Sequence, residues 1–290
     1  MRFTNRSAIL FMLPAAALFG LFVVYPAMRG LAMSLTDAQG VVGGNFVGPA
    51  NYVRLLHDVD FANALRNTLL FAAVIVIVQN ALGIAIASWM RNQNAVRKLV
   101  RSTLLLPTMM AFVVVGYVWS FIYSPLGGPL NSLLTFVHLG SLQQVWLGDT
   151  KTALLAIAAT SIWMYLGYTT TIYLAGYVSI PSDVSEAATI DGATGWTRFR
   201  YIDWPLLAPA LTVSITLSLI GSLRIFELPF VMSGGGPAGA TDTLSYLVYR
   251  ISFNAFNFGY GTAIATGLFI VTAVLAAVVT TLLRRREVSA

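Results

Sequence analysis

The chain has 290 residues, 57% of them hydrophobic and only 10% charged, with a mean hydropathy of +0.77. Soluble domains carry roughly 25% charged residues, and 17 basic plus 11 acidic side chains are too few to cover a water-soluble globule of this size. A soluble enzyme and a disordered chain are both excluded, which leaves a membrane protein of several helices. In a soluble protein the net charge of +6 would suggest nucleic acid. In a chain this apolar the basic residues flank membrane spans, and no nucleic-acid partner is expected. With no cysteine, disulfides, thiolate metal sites and a cysteine nucleophile are excluded.

A hydrocarbon layer of about 30 Å takes about 20 helical residues. The first candidate is Ser7–Met28, whose 22 charge-free residues exceed a signal-peptide core of about 7–15, so it reads as a retained first helix. The second is Asn67–Met90, between Arg66 and Arg91. The third is Ser102–Tyr123, stopped by Ser124-Pro-Leu-Gly-Gly-Pro129. The fourth is Thr152–Val178, and the fifth is Pro205–Phe230, which carries Arg224 and Glu227. The sixth is Thr262–Leu283, closed by Arg284, Arg285 and Arg286. Backbone groups in lipid must pair within their own segment, so these are helices. The alternating pattern of an outer-membrane barrel is absent. The expected fold is all-α, a polytopic membrane protein with six transmembrane helices in a single domain over residues 1–290.

Six spans put both termini on one side. With the N-terminus inside, the inside segments hold Arg2, Arg6, Arg91, Arg97, Lys98, Arg101, Arg198, Arg200 and Arg284–Arg286, eleven basic residues against six outside. That bias predicts cytoplasmic termini. Trp119 and Tyr123 then sit at the outer end of the third helix, where an interfacial belt belongs.

The longest inside loop runs over residues 180–205. Asp183 with Glu186 three residues on reads as a capping box with Asp in the Ser/Thr position, opening a short helix over Val184–Asp191. Gly192 permits the left-handed backbone that ends it. Thr194 would cap a second short helix over Gly195–Asp203, and Pro205 would open the fifth span. The product is a helix–turn–helix bracket able to transmit force as a rigid body.

The spacing in this loop is Glu186-Ala187-Ala188, three residues, Gly192, nine residues, Ile202, one residue, then Trp204-Pro205. It resembles the EAA motif of binding-protein-dependent ABC importer permeases, which reads EAA-x3-G-x9-I-x-L-P, with Trp204 in place of the Leu. Phe46-Val-Gly-Pro-Ala-Asn-Tyr52, Ala64-Leu-Arg-Asn-Thr-Leu69, Leu105-Leu-Pro107, Val115-Gly-Tyr-Val-Trp119 and Gly234-Gly-Gly-Pro-Ala-Gly-Ala-Thr241 resemble the carbohydrate-uptake branch, relatives of the maltose, trehalose and glycerol-3-phosphate systems. The likeness covers about residues 8–286, with its core at about 64–286.

That resemblance implies a type I ABC importer transmembrane domain in a bacterial inner membrane. It implies a second related permease subunit, two ATP-binding subunits inside and an extracytoplasmic solute-binding protein. Glu186, Ala187, Ala188, Asp191 and Gly192 would be the ATPase-coupling residues. Tyr168, Ser218 and Ser222 would line the translocation path, with Ser222 and Ile225 standing where the maltose-type relative has amide side chains. Gly234–Pro237, by itself a turn, would meet the binding protein.

The residues also exclude chemistry. A P-loop needs Gly-Lys-Ser/Thr; Lys98 is followed by Leu99, and Lys151, though followed by Thr152, is preceded by Thr150. ATP must therefore be hydrolysed by another subunit. His57 and His138 both fall in outside loops, which argues against haem ligation within the spans. No cofactor, metal site or catalytic pair is expected, so the chain reads as a transporter subunit and not an enzyme. Ser214, Ser218, Gly221, Ser222 and Ile225 share one face of the fifth span, which suits either a sugar path or close helix packing. Arg224 and Glu227, three apart, suit either an ion pair or a free cation facing the path. The competing functions are a permease for an anionic or non-sugar solute such as glycerol-3-phosphate, an amino-acid or phosphate ABC permease, a secondary transporter and a membrane enzyme subunit.

Overall fold

The computed structural model describes residues 5–91 and 95–285; Arg2 and Arg286, counted above among the inside charges, lie outside them. The regular elements among the described residues are helices, with one isolated bridge between Thr36 and Phe46. Four helices are long and apolar enough to cross a membrane, and six if each of two bent pairs counts as one span. The four are Met12–Met33, Val59–Met90, Ala153–Val178 and Phe258–Arg284. The second begins earlier than its charges suggested, because the turn before Arg66 is already helical.

The third and fifth spans depart from the expected straight rods. The third consists of Val96–Met109 and Phe112–Ile122, which meet at 103°. The α-helix ends at Leu105, just before Pro107, and the bend follows at Met110 and Ala111; Pro107 lacks the N–H that would bond one turn back, and its ring crowds that carbonyl. The fifth is preceded by Gly195–Leu206, bent by 72° against Ala208–Leu223. It ends at Leu223 and not at Phe230, and a separate short helix follows over Glu227–Met232. Pro229 falls in the first turn of that short helix, where a missing N–H costs no intrahelical bond.

The chain divides into two compact units. One comprises Met1–Phe61 and Leu247–Gly267. Here the Asn51 amide of the Phe46–Tyr52 segment donates to the carbonyls of Ser34 at 2.9 Å and Thr36 at 2.8 Å, fixing the loop after the first span. Arg54 lies 4.0 Å over the Tyr260 ring, the Tyr260 hydroxyl donates to Asp58, and Arg250 pairs with Asp60 at 2.9 Å.

The other unit comprises Ala62–Tyr246 and Leu268–Ala290 and holds the cores used below. The fourth span is its hub: 67% of its most apolar window is buried, against 11% for the last span. One core joins Phe71 and Ile75 of the second span, Val115 of the third, Ile157 and Met164 of the fourth, and Leu228 and Met232 of the short helix. Another joins Ile84, Ala87 and Met90 to Tyr173, Leu174 and Tyr177, and to Leu207 and Leu211. Small residues set the helix spacing. A Cβ on Gly83 would lie 2.5 Å from Thr169, one on Gly176 2.6 Å from Ala210, and one on Gly167 2.0 Å from the Leu104 carbonyl oxygen.

Candidate functional site

A cavity of about 340 Å³ opens between the second, third, fourth and fifth spans of this unit. Its second-span wall is a wide π-helical stretch, Ile75–Gln79, whose two end residues both line it. Such bulges are rare and cluster at functional sites. The fourth span contributes Ser161, Tyr165, Tyr168 and Thr169, and the third contributes Phe112. The fifth contributes Ser214, Ser218, Gly221 and Ser222, with Arg224, Ile225 and Glu227 at its break.

All five residues singled out for a substrate path, Tyr168, Ser218, Ser222, Arg224 and Glu227, line this one cavity. Tyr168 and Arg224 are exposed to it, and Glu227 is half-buried. Arg224 and Glu227 form no ion pair with each other; the pairs among the described residues lie elsewhere. Both residues line the same cavity as separate groups. The break in the fifth helix at Arg224 turns both side chains there, where a continuous helix would have stacked them one turn apart.

Beside the cavity, Asn80 ties three spans together. Its side-chain oxygen accepts from the Tyr173 hydroxyl at 2.7 Å and from Ser214 at 2.7 Å. Its amide donates to the Val76 carbonyl at 2.8 Å and to Ser218 at 3.0 Å. Gln79 donates to Thr169 at 2.7 Å. Ser218 is therefore both a cavity residue and a packing residue, and the choice left open for it has no single answer.

The bracket forms as two helical segments, Ser182–Ile190 and Gly195–Arg198, the latter running on through Phe199–Asp203. The expected capping box does not form. The first helix starts at Ser182 behind Pro181, no side chain caps it, and Asp183 lies inside the first turn. A carboxylate there still meets the positive end of the helix. Thr194 holds the cap position of the second segment without a side-chain bond. Gly192 has φ +72°. Its N–H bonds the Thr189 carbonyl at 3.1 Å and that of Ala193 bonds Ala188 at 2.9 Å, the paired closure of a Schellman end. A Cβ at Gly192 would meet nothing within 4 Å, so the turn needs glycine for its backbone angle and not for space.

Within the motif, Glu186, Ala187 and Asp191 are exposed, whereas Ala188 is only 3% exposed and packs inside this chain. Ile190 stands 86% exposed beside them, with Trp196 at 73%. Asp203 is the most buried charge of the bracket, at 3% exposure. It sits before the fifth span opens at Ala208, and Arg91 bonds it at 3.0 and 3.3 Å while Arg198 approaches at 3.6 Å. Burial pushes its carboxyl above the ordinary carboxylate range, with Arg198 opposing that shift.

The model of the family described as "Binding-protein-dependent transport system inner membrane component" matches residues 79–288. The chain belongs to this family. It is 36% identical over 268 residues to a probable ABC transporter permease of Pyrococcus horikoshii, covering 92% of each chain. It is 32% identical to the trehalose/maltose transport system permease protein MalF of Thermococcus litoralis, over 90% of this chain and 88% of that one. The structure of a bacterial ABC transporter involved in the import of the acidic polysaccharide alginate superposes with TM-score 0.84, 24% identity, and coverage of 97% and 96%. The fold is therefore that of a type I ABC importer permease. The chain is an integral inner-membrane component of a transport system and not an enzyme.

Sequence reasoning on this permease missed Gln79, Asn80, Ser161 and Thr169, which the structure gathers at or beside the cavity. Their signal was present, since an adjacent Gln-Asn pair inside an otherwise apolar span is costly unless its amides are bonded. It also missed Arg91 and Ser185, which the charge count had read only as topology and loop.

Proposed function

We propose that this permease is half of an ATP-driven import pore for a neutral sugar-like solute delivered by an extracytoplasmic binding protein. One observation carries the solute class: the cavity combines aromatic faces and hydroxyls with balanced charge. Phe112, Tyr165 and Tyr168 offer flat apolar surface, and Ser161, Thr169, Ser218 and Ser222 offer hydrogen-bonding groups. Arg224 and Glu227 give the lining one charge of each sign. Few polar groups converging in an otherwise apolar cleft is the pattern of a small-molecule site. A polyhydroxylated ring presents donors and acceptors that suit both Arg and Glu, whereas an anion meets Glu227 as a repulsion. The named transport of trehalose and maltose by the Thermococcus relative agrees with this class.

The mechanism follows from two-state linkage. A second related permease completes the pore, and the brackets dock two ATP-binding subunits on the cytoplasmic side. The exposed Glu186, Ala187, Ile190 and Asp191 supply the docking face. ATP-driven approach of those subunits favours the outward-open cavity, and hydrolysis restores the inward-open one. Both termini are cytoplasmic in this reading, which the basic excess of the segments on that side supports.

A second reading, an anionic or phosphorylated solute, is favoured by one observation, the exposure of Arg224 to the cavity without an ion pair. Competition separates the two. Uptake of radiolabelled trehalose or maltose by cells carrying the complete system should be blocked by the unlabelled neutral disaccharides and not by glycerol-3-phosphate or glucuronate. Tyr168→Ala should weaken apparent affinity roughly tenfold, the loss of one aromatic face worth about 1–1.5 kcal/mol. Preferential uptake of the anions, abolished by Arg224→Ala, would establish the second reading instead.

A further inference from the structure

We propose that Arg91, Ser185, Arg198 and Asp203 form a joint that makes the bracket move as one body with the ends of the second and fourth spans and the elbow before the fifth. The proposal rests on the bracket being the element that docks the ATP-binding subunits.

Arg91 is the residue just past the end of the second span's helix. Its guanidinium reaches three other elements. It bonds Asp203 at 3.0 and 3.3 Å, bonds the Ser185 hydroxyl at 3.3 Å, and lies 5.8 Å over the ring of Tyr177, one residue from the end of the fourth span. Arg198 donates to the same Ser185 oxygen at 2.6 Å and approaches Asp203 at 3.6 Å. Ser185 lies on the first bracket helix, one residue before the motif's Glu186, whereas Arg198 and Asp203 lie on the second. Two guanidiniums thus share one hydroxyl and one buried carboxylate across three elements.

The apolar contacts of this region, through Ile180 and Phe199 to Leu174, Tyr177 and Leu207, bury surface without fixing an angle. Charge-assisted bonds are directional and short, so they set the angle that those contacts leave free. A push received on Glu186, Ala187 and Ile190 then reaches the cavity-lining spans, where a loose bracket would absorb it at its own turns. The arrangement also accounts for an Asp between Ile202 and Trp204: a carboxylate at that position faces both guanidiniums.

The test uses the complete complex in proteoliposomes with radiolabelled maltose and trehalose as probes. Assembly, uptake and ATP hydrolysis are measured separately. Asp203→Asn keeps the shape and removes the charge, Asp203→Glu restores the charge, and Ser185→Ala removes only the shared hydroxyl. In assembled complexes, solute moved per ATP hydrolysed should fall about fivefold or more for Asp203→Asn, the lower range of coupling between linked sites. Asp203→Glu should recover at least half of the loss, and Ser185→Ala should show a smaller drop in the same ratio. A merely structural role lowers the amount of complex and leaves the ratio alone. An unchanged ratio in assembled Ser185→Ala and Asp203→Asn overturns the joint, as does a Ser185→Ala chain that fails to assemble. A wild-type complex with no ATP-dependent uptake of either sugar overturns the proposed function, and the joint with it.

Discussion

Replacing Gly167 with valine is expected to destabilise the permease by roughly 3 kcal/mol or more, the upper range for overpacking a closed site. Gly167 lies between the cavity residues Tyr165 and Tyr168 on the buried side of the fourth span. Any Cβ there would sit 2.0 Å from the carbonyl oxygen of Leu104 and 2.8 Å from the nitrogen of Leu105. Both are backbone atoms at the elbow of the third span. That elbow is also held by the Thr108 hydroxyl, which donates to the Met164 carbonyl at 2.7 Å. No rotamer change relieves such a clash, so the elbow or the fourth span must move and the cavity wall moves with it. The check is thermal unfolding of the purified complex. For a domain of 150–250 residues each kcal/mol lowers Tm by roughly 2–4 °C, so a fall of at least about 6 °C is expected. Gly221→Ala is the control: it lines the same cavity, its Cβ would meet nothing within 4 Å, and its Tm should not move. Equal behaviour of the two glycine variants would contradict the elbow contact.

Asn80→Leu should cost about 2 kcal/mol, since three inter-span hydrogen bonds of about 0.6 kcal/mol each are lost in a membrane interior. The three partners do not suffer equally. Ser218 keeps its bond to the Ile215 carbonyl at 3.1 Å. The Tyr173 hydroxyl belongs to a residue with 0% exposure and loses its Asn80 acceptor. A stranded buried donor costs about 1–3 kcal/mol by itself. The double variant Asn80→Leu/Tyr173→Phe should therefore be more stable than Asn80→Leu alone, by about 1 kcal/mol in the same unfolding assay. An additive pair of losses would show that the two side chains do not depend on each other. Uptake should fall in the single variant, because Ser214 and Ser218 on the cavity wall lose the group that holds them.

Much of this architecture was legible in the residues. Hydrophobic run length located the four long spans and the two bent pairs, because lipid imposes a length and forbids unpaired backbone. The bracket followed from spacing, and the left-handed turn at Gly192 forms where a glycine behind a short helix predicts it. Straightness did not follow from run length. Pro107 lies inside the third candidate, where the α-helix ends just before it and the bend follows within a few residues, whereas the fifth candidate breaks at Arg224, ahead of Pro229. A hydropathy window averages over a proline, whereas a helix cannot.

The cavity was half legible. Helical spacing on the fifth span collected Ser214, Ser218, Gly221, Ser222 and Ile225 on one face, and all five line it. The opposite wall was not read, because Ile75 and Gln79 meet the cavity from a π-helical stretch whose register no 3.6-residue pattern anticipates. Asp183 illustrates the converse limit. The Asp-x-x-Glu spacing fits a capping box, but the helix starts at Ser182 behind Pro181, two residues earlier than that box requires. Arg91 was read only as an orientation signal, since the sequence does not disclose that Asp203, far along the chain, would be buried against it.

The proposed function requires this chain to move solute only as part of an ATP-driven complex. The direct measurement is uptake of labelled maltose or trehalose into proteoliposomes holding both permeases and the ATP-binding subunits, with the loaded binding protein outside. Accumulation should require ATP on the side of the brackets and be indifferent to collapse of proton and sodium gradients. Accumulation that persists without ATP and disappears with the gradients would contradict it.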